Sequence, residues 1–471
     1  MRHRRITILT RVLLFIAAVI CCGSFFLYEK KQKEKEEISV SANDTLREGK
    51  DLILWYTDEG LADYIRDTSD RLRAEKGINV IAFHKSGLNY LEEVEAASIS
   101  GVNTPDVYMT GADQLEKALL MGLAGTISDP DGTVGVFNFP ENALNAVTVN
   151  GRKVGYPFYY ETSFLLYNYT YLSEIAEEAL RMDMTGENTE EEAVVVEGIP
   201  EGFTEESWKE AVREKAMEMI PSSVTSIMDT AALYSAPEGM ENFFIWDVSD
   251  IFYNYFFTGA YMDVGGVCGD DESRIDICNE ETIHCMEVYG GLHQFFSIEQ
   301  KESSYEKVIS DFLDGKTLFT IATTDALKRI KDKTEAGEFP YVYGVAALPG
   351  ADEEHEAKGL ANTSAVAVNP YGKNREAADI LAEYLIYDNA AALYDLSGKL
   401  PCVNGSWESE SRDARTEVRA LYTGSASLPK LMKLEDFWMQ LEMVYTAVWD
   451  GADPENALSE LEEKMKKRYG L

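Results

Sequence analysis

The alternation of apolar and polar positions divides the chain into recognisable elements from Asp51 onward. Asp51–Tyr56 (DLILWY) is a nearly continuous apolar run, the pattern of a strand buried on both faces. Leu61, Tyr64, Ile65, Thr68 and Leu72 then recur at spacings of three and four, which predicts a helix that Gly77 stops. Asn79–Phe83 (NVIAF) predicts a second strand. Leu88, Leu91, Val94 and Ala97 predict a helix, Asp106–Met109 (DVYM) a third strand, and Leu115 and Leu119 a helix ending near Gly122. Strands alternating with amphipathic helices imply a parallel sheet covered on both faces. Ligands of such sheets sit beyond the carboxyl ends of the strands, here Tyr56–Glu59, His84–Ser86 and Thr110–Asp113.

The middle of the chain changes character. Tyr156–Tyr171 (YPFYYETSFLLYNYTY) carries eight aromatics in sixteen residues, and a second concentration spans Phe243–Tyr261. If the second were helical, Phe252, Tyr253, Tyr255, Phe256 and Phe257 would encircle the helix and turn one face towards a cleft or partner. The acidic stretch Asp183–Gly202 is expected as a surface loop and Glu205–Met219 as a helix. Leu318–Ala322, Tyr343–Leu348 and Ser364–Val368 are expected as strands, with helices around Arg375–Tyr387 and Glu435–Val448. The last helix opens on Asp453 as N-cap with Pro454 at its first position, and buries Leu458, Leu461 and Met465.

Before all this, Arg2, Arg4, Arg5 and Arg11 precede the uncharged run Val12–Tyr28, and a Lys- and Glu-rich stretch follows to Glu37. Basic then apolar is the pattern of an export signal whose positive side stays in the cytoplasm. The residues before Cys21 and Cys22 are Val19 and Ile20 rather than small ones, and Phe25–Tyr28 extend the run. An uncleaved signal-anchor is therefore preferred, with lipid on Cys21 or Cys22 as the rival reading. Either way, the remainder is expected outside the cytoplasm. The formal net charge of -39 fits a soluble extracytoplasmic surface and excludes nucleic acid, whose phosphates it would repel. In an oxidising compartment Cys268 and Cys278 are spaced to close a short loop, although free thiols at Cys268, Cys278, Cys285 and Cys402 fit equally well.

A catalytic constellation is missing from the sequence. Gly315-Lys316-Thr317 ends like a phosphate loop but has Ser310 where the earlier glycine belongs. His84, His284, His293 and His355 are too scattered along the chain to nominate a triad or a metal site, and no cofactor is implied. The aromatic segments carry better chemistry. Aromatic rings hold the apolar faces of sugars while carboxylates bond the hydroxyls, and Tyr159-Tyr160-Glu161, Trp246 with Asp247, and Trp438 combine the two. For any single ring, burial in a core is the commoner fate.

The order of motifs resembles the family 1 extracellular solute-binding proteins of bacterial ABC importers, the maltose-binding type. Leu54-Trp55-Tyr56 with Gly77-Ile78-Asn79-Val80 resembles that family's opening, and Ser100–Val107 (SGVNTPDV) its Pro-Asp-Val strand. Gly151–Asn168 (GRKVGYPFYYETSFLLYN) resembles the crossover segment and is the most specific match. Phe312–Ala322 (FLDGKTLFTIA), Gly398–Pro401 and Trp449–Ala457 follow in the family's order. Two departures stand out: Thr323-Thr324-Asp325 replaces a stacking aromatic, and Ser173–Met219 is an insertion.

The resemblance implies an α/β, two-lobed periplasmic-binding-protein-like type II fold with a crossover hinge, preceded by the N-terminal membrane segment of residues 1–37. The expected lobes are 48–157 with 360–407, and 158–359 with 408–471, the second carrying the insertion 173–219. It implies an oligosaccharide ligand, ABC permease subunits as partners, and a monomer that binds rather than catalyses. Carried over by position, the ligand-binding candidates in the first half are Thr57, Asp58, Glu59, Asp113, Tyr160 and Glu161. Those in the second half are Trp246, Tyr253, Thr324, Asp325 and Trp438. A membrane-anchored sensor that does not transport, and less favourably a secreted glycosidase, are the competing functions.

Overall fold

The computed structural model of the protein describes residues 51–85, 87–185, 198–296, 298, 303–405, 413–434 and 436–470. The expected anchor at Val12–Tyr28 lies outside the described residues. Among those described, no helix is long and apolar enough to cross a membrane.

A ten-stranded sheet organises the chain. Its strands are β1 (Asp51–Tyr56), β2 (Asn79–His84), β3 (Val107–Gly111), β4 (Tyr156–Asn168) and β5 (Asn242–Phe244). The remainder are β6 (Thr317–Thr323), β7 (Tyr343–Ala346), β8 (Leu360–Val368), β9 (Leu400–Pro401) and β10 (Ala426–Ser427). The order is β2-β1-β3-β8-β4-β6-β5, with β7 and β9 also on β4 and β10 on β8. β1 pairs parallel with both β2 and β3, as the alternation of strands and helices requires. The first connecting helix, Ala62–Lys76, buries Tyr64, Ile65, Thr68 and Leu72 and ends at Gly77, whose φ of 68° suits a residue without a β-carbon.

β4 makes two lobes out of one sheet. Its first part pairs with β8 from Tyr156 to Thr162, and its second part pairs with β6 and β7 from Ser163 to Asn168. The strand thus changes partners between Thr162 and Ser163 without breaking. The chain passes between the lobes along β4, again into β8 and again out of β10. These passages meet where Thr162 Oγ1 donates to the Leu360 carbonyl at 3.1 Å and lies 2.8 Å from Ser425 Oγ. The lobe boundary expected at residues 157 and 158 therefore falls inside a continuous strand.

The second lobe explains the aromatic segments. Phe243–Tyr261 does not form the helix that its rings would encircle. It is a short strand, one helical turn at Ile251–Asn254 and a tighter turn at Tyr255–Phe257. Tyr253, Tyr255, Phe256 and Phe257 are buried in the lobe-two core. Because the chain reverses so quickly, core walls surround most of these rings, while Tyr255 and Tyr261 border a groove. The insertion Ser173–Met219 holds most of the helix Tyr169–Thr185 and all of the helix Glu205–Glu218. Trp208 Nε1 donates to Glu177 at 3.3 Å and Arg181 lies over the Trp208 ring. The final helix, Pro454–Tyr469, is capped by Asp453 and buries Leu458, Leu461 and Met465 as expected. Cys268 and Cys278 are free: one contacts Asn145 and the other the Glu455 carbonyl, so no short-loop disulfide forms.

Candidate functional site

β6 ends with Thr323 paired to Ser163, where β4 changes partners; β3 ends with Gly111 paired to Ser364 on β8, and the turn after β1 reaches β4 through Lys399. β1 ends in a buried Tyr56 and gives way to the polar Thr57-Asp58-Glu59-Gly60. Asp58 caps the short turn Glu59–Leu61 by accepting the Gly60 N–H at 2.9 Å. Its other oxygen is 2.9 Å from Lys399 Nζ, which also donates to Glu161 Oε1 at 2.7 Å. One lysine thus joins the end of β1 to the middle of β4. It also lies over the Tyr159 ring, 5.2 Å from the centroid. Burial pushes the Asp58 carboxyl up, but Lys399 and the Gly60 N–H outweigh it, and the group sits below its ordinary value. Burial likewise pulls Lys399 down, yet Glu161, Tyr159 and Asp58 together hold it above the usual lysine range.

The lobe-two side of this mouth is a second polar cluster. Tyr305 Oη donates to Asp325 Oδ1 at 2.6 Å and accepts from the Thr323 N–H at 3.1 Å. Asp325 Oδ2 is 2.8 Å from Arg329 Nε, and Arg329 in turn grips Glu306 through both of its terminal nitrogens. Tyr253 stacks on Tyr305 with centroids 4.6 Å apart. The helix Asp325–Glu335 carries this cluster towards lobe one, where Lys331 pairs with Asp395 at 3.4 Å.

Asp113, at the end of β3, stands at a third position. It shares a recess with Gln114, Lys430 and Trp438. Burial holds its carboxyl above the ordinary value, only partly offset by the Gln114 amide at 2.7 Å. Lys430 is itself buried and donates to the carbonyls of Asn145 in lobe one and Cys268 in lobe two. Burial pushes it down to about 8. Trp438 also borders a larger groove of about 470 Å³ between helix Glu141–Ala146, Tyr255–Val264 and the Thr423–Ser427 segment. No end of β1, β3 or β6 reaches that groove.

The eleven expected site residues therefore have different fates. Asp58 and Glu161 come together through Lys399, with Thr57 and Glu59 exposed beside them. Asp325 and Tyr253 come together through Tyr305, and Asp113 and Trp438 line one recess. Three residues take core positions instead. Trp246 is wholly buried, its indole N–H bonded to Asn254 and its ring packed on Phe244 and Trp449. Tyr160 is wholly buried against Tyr422, because it alternates with Tyr159 and Glu161 along β4 and so points to the opposite face. Thr324 is buried at the start of its helix. Lys399 and Tyr305 were missed. Gly398–Pro401 is conspicuous in the sequence as a turn, but nothing local marks the lysine inside it.

The histidines require a correction too. His284 and His355, read as too scattered for a metal site, are brought beside Asp352 in lobe two, where the three ligand atoms lie within 4.8 Å of one another.

A sheet divided by one continuous strand, with polar strand ends facing the division, defines a two-lobed ligand-binding protein. A family model described as bacterial extracellular solute-binding protein matches residues 70–419, and the chain belongs to that family. It is similar to the maltodextrin-binding protein MdxE of Bacillus subtilis (strain 168), 20% identical over 447 residues, covering 92% of this chain and 94% of the relative. Among solved structures, it shares its fold with a cyclo/maltodextrin-binding protein complexed with maltotetraose. That match has a TM-score of 0.67 at 17% identity, over 89% of this chain and 98% of the other. An extracellular solute-binding protein from Staphylococcus aureus in complex with maltose also has a TM-score of 0.67, at 16% identity, over 90% and 99%.

Proposed function

We propose that the protein captures an oligosaccharide between its lobes as the extracytoplasmic solute-binding component of an ABC importer and delivers it to the permease. The observation that carries this reading is that the polar residues after β1 and at the end of β6 lie beside β4, on either side of its change of partners. A ligand seated there touches both lobes and favours their closure by a hinge along β4 and β8. Family membership supports the reading, as do relatives named for maltodextrin. Asp58, Glu59 and Glu161 supply hydroxyl acceptors, while the partly exposed rings of Tyr159 and Tyr305 supply apolar surface, with Tyr253 packed behind Tyr305. The run Val12–Tyr28 is the proposed membrane anchor, with lipid on Cys21 or Cys22 as its rival.

The test is a thermal-unfolding screen of the detergent-solubilised full chain against linear and cyclic maltodextrins and unrelated sugars. One class should raise Tm, since a ligand at about a hundred times its Kd adds about 2.7 kcal/mol. Glu161→Gln should weaken that binding. No shift with any sugar would overturn the carbohydrate assignment, and turnover of the bound sugar would favour the glycosidase instead.

A further inference from the structure

The segment from Gly350 to Lys358 in lobe two is tied down at both ends. The Gly350 N–H donates to the Ser222 carbonyl and the Gly350 carbonyl accepts from Val224, each at 2.8 Å. Ser223 Oγ donates to Glu353 at 2.7 Å, the Glu356 N–H donates to Tyr261 Oη at 2.9 Å, and the Lys358 N–H donates to the Phe256 carbonyl. Inside the segment, Asp352 Oδ1 accepts the N–H groups of Glu354 and His355 at 2.9 and 3.1 Å, which fixes the carboxylate's direction. His355 Nδ1 lies 2.7 Å from Oδ1. His284 Nε2, from the helix Glu280–Phe296, lies 2.6 Å from Oδ2. The two imidazoles stack 4.4 Å apart at 22°.

Two imidazoles and a carboxylate that converge from a helix and an anchored loop are the donor set of a divalent transition-metal site. Zinc bonds of about 2.0–2.1 Å in tetrahedral geometry place ligand atoms about 3.3 Å apart. Here the carboxylate contacts are shorter than that and the nitrogens lie within 4.8 Å of each other. A swing of about 1 Å in the rings reconciles the two, and the His284 side chain, 44% exposed, has room for it. The same exposure leaves a coordination position open to water. None of the three residues lines the groove or the strand-end mouth. Hard cations such as magnesium prefer all-oxygen sites, so imidazoles select against them.

We propose that His284, Asp352 and His355 bind one divalent ion of the zinc or nickel class, with water completing its shell. The bound ion bridges the helix to a segment whose far end holds Tyr261 and the Phe256 backbone, and so braces lobe two.

The experiment titrates zinc chloride into the untagged full chain in detergent, after chelation and in the presence of excess magnesium. Zinc should raise Tm by about 3 °C or more. The double variant His284→Gln/His355→Gln should bind one equivalent fewer, and each single variant should lose more than about tenfold in affinity. Cobalt(II) placed in the site should show visible d–d bands without thiolate charge transfer, which separates these ligands from the nearby Cys285. This spectrum comes from the wild-type protein, so it decides the matter even if a variant fails to fold. Zinc binding unchanged in the double variant, a thiolate band, or a zinc affinity no higher than magnesium's would each overturn the proposal.

Discussion

Tyr160 and Tyr422 lie face to face, with ring centroids 3.8 Å apart and planes 9° from parallel. Tyr160 belongs to β4 and Tyr422 to the helix Ala414–Gly424, so the stack pins a late helix to the strand that joins the lobes. The Tyr422 hydroxyl reaches Thr363 Oγ1 on β8 at 3.0 Å, and the Arg419 guanidinium lies 5.5 Å from the Tyr160 ring. The strand changes partners two residues beyond Tyr160. This pair therefore holds the approach to the hinge rather than a ligand.

Replacing either tyrosine by leucine should destabilise the protein by about 2–4 kcal/mol, because a large buried ring leaves a cavity. In a double-mutant cycle monitored by urea unfolding, the coupling between the two should be about 0.5–1.5 kcal/mol. A coupling near zero would show that the rings pack independently.

The tryptophans should separate stability from binding. Trp246→Ala removes a wholly buried ring and should cost about 3–5 kcal/mol, while sugar affinity of the folded fraction stays the same. Trp438→Ala, at a partly exposed ring bordering both interlobe openings, should cost less stability. Calorimetric titration and thermal melts on the same samples distinguish the two behaviours.

Lys399→Met should leave Asp58 and Glu161 facing each other without their shared cation. The carboxylates are about one-third exposed, so the cost falls between that of a surface pair and that of a buried one, about 1–3 kcal/mol. Adding salt should narrow the gap to the wild type, because screening weakens the repulsion left behind.

Lys430 provides a pH test. Its folded value, about 8, lies below the ordinary 10.5, so between these the unfolded chain binds more protons than the folded one. Stability contributed by this group therefore rises with pH across that window and is flat below it. Measured against Lys430→Met, the wild type should gain up to about 3 kcal/mol between pH 7 and pH 10.5, and an unchanged difference would refute the shift. Denaturant melts at matched ionic strength are the check.

Local features of the fold were legible because each depends on neighbours in the chain. The six-residue apolar run of β1, the three-and-four spacing of Ala62–Lys76, and the Asp453-Pro454 start of the last helix can all be read over a few turns. The aromatic segment Phe243–Tyr261 was misread because five rings within six residues, Phe252 to Phe257, carry no period that tells a helix from a reversing chain. At the site, Asp58 was legible from its place at a strand end, Glu161 from its neighbouring tyrosines and Asp325 from the family's motif order, but the groups that hold them were not. Lys399 is 238 residues from Glu161, and His284 is 68 from Asp352. No spacing rule spans such distances.

Sequence alone thus determined the strand and helix alternation, the class of fold and the polar strand ends, because periodicity and caps act within a turn or two. Tertiary structure decided which carboxylates share a lysine, which rings face a core, and that two distant histidines meet at one aspartate. Those outcomes depend on how β4 crosses between lobes and on which side of it each residue falls. Tyr160 and Glu161 are adjacent in the chain, yet one stacks on Tyr422 while the other meets Lys399, because side chains alternate across a strand.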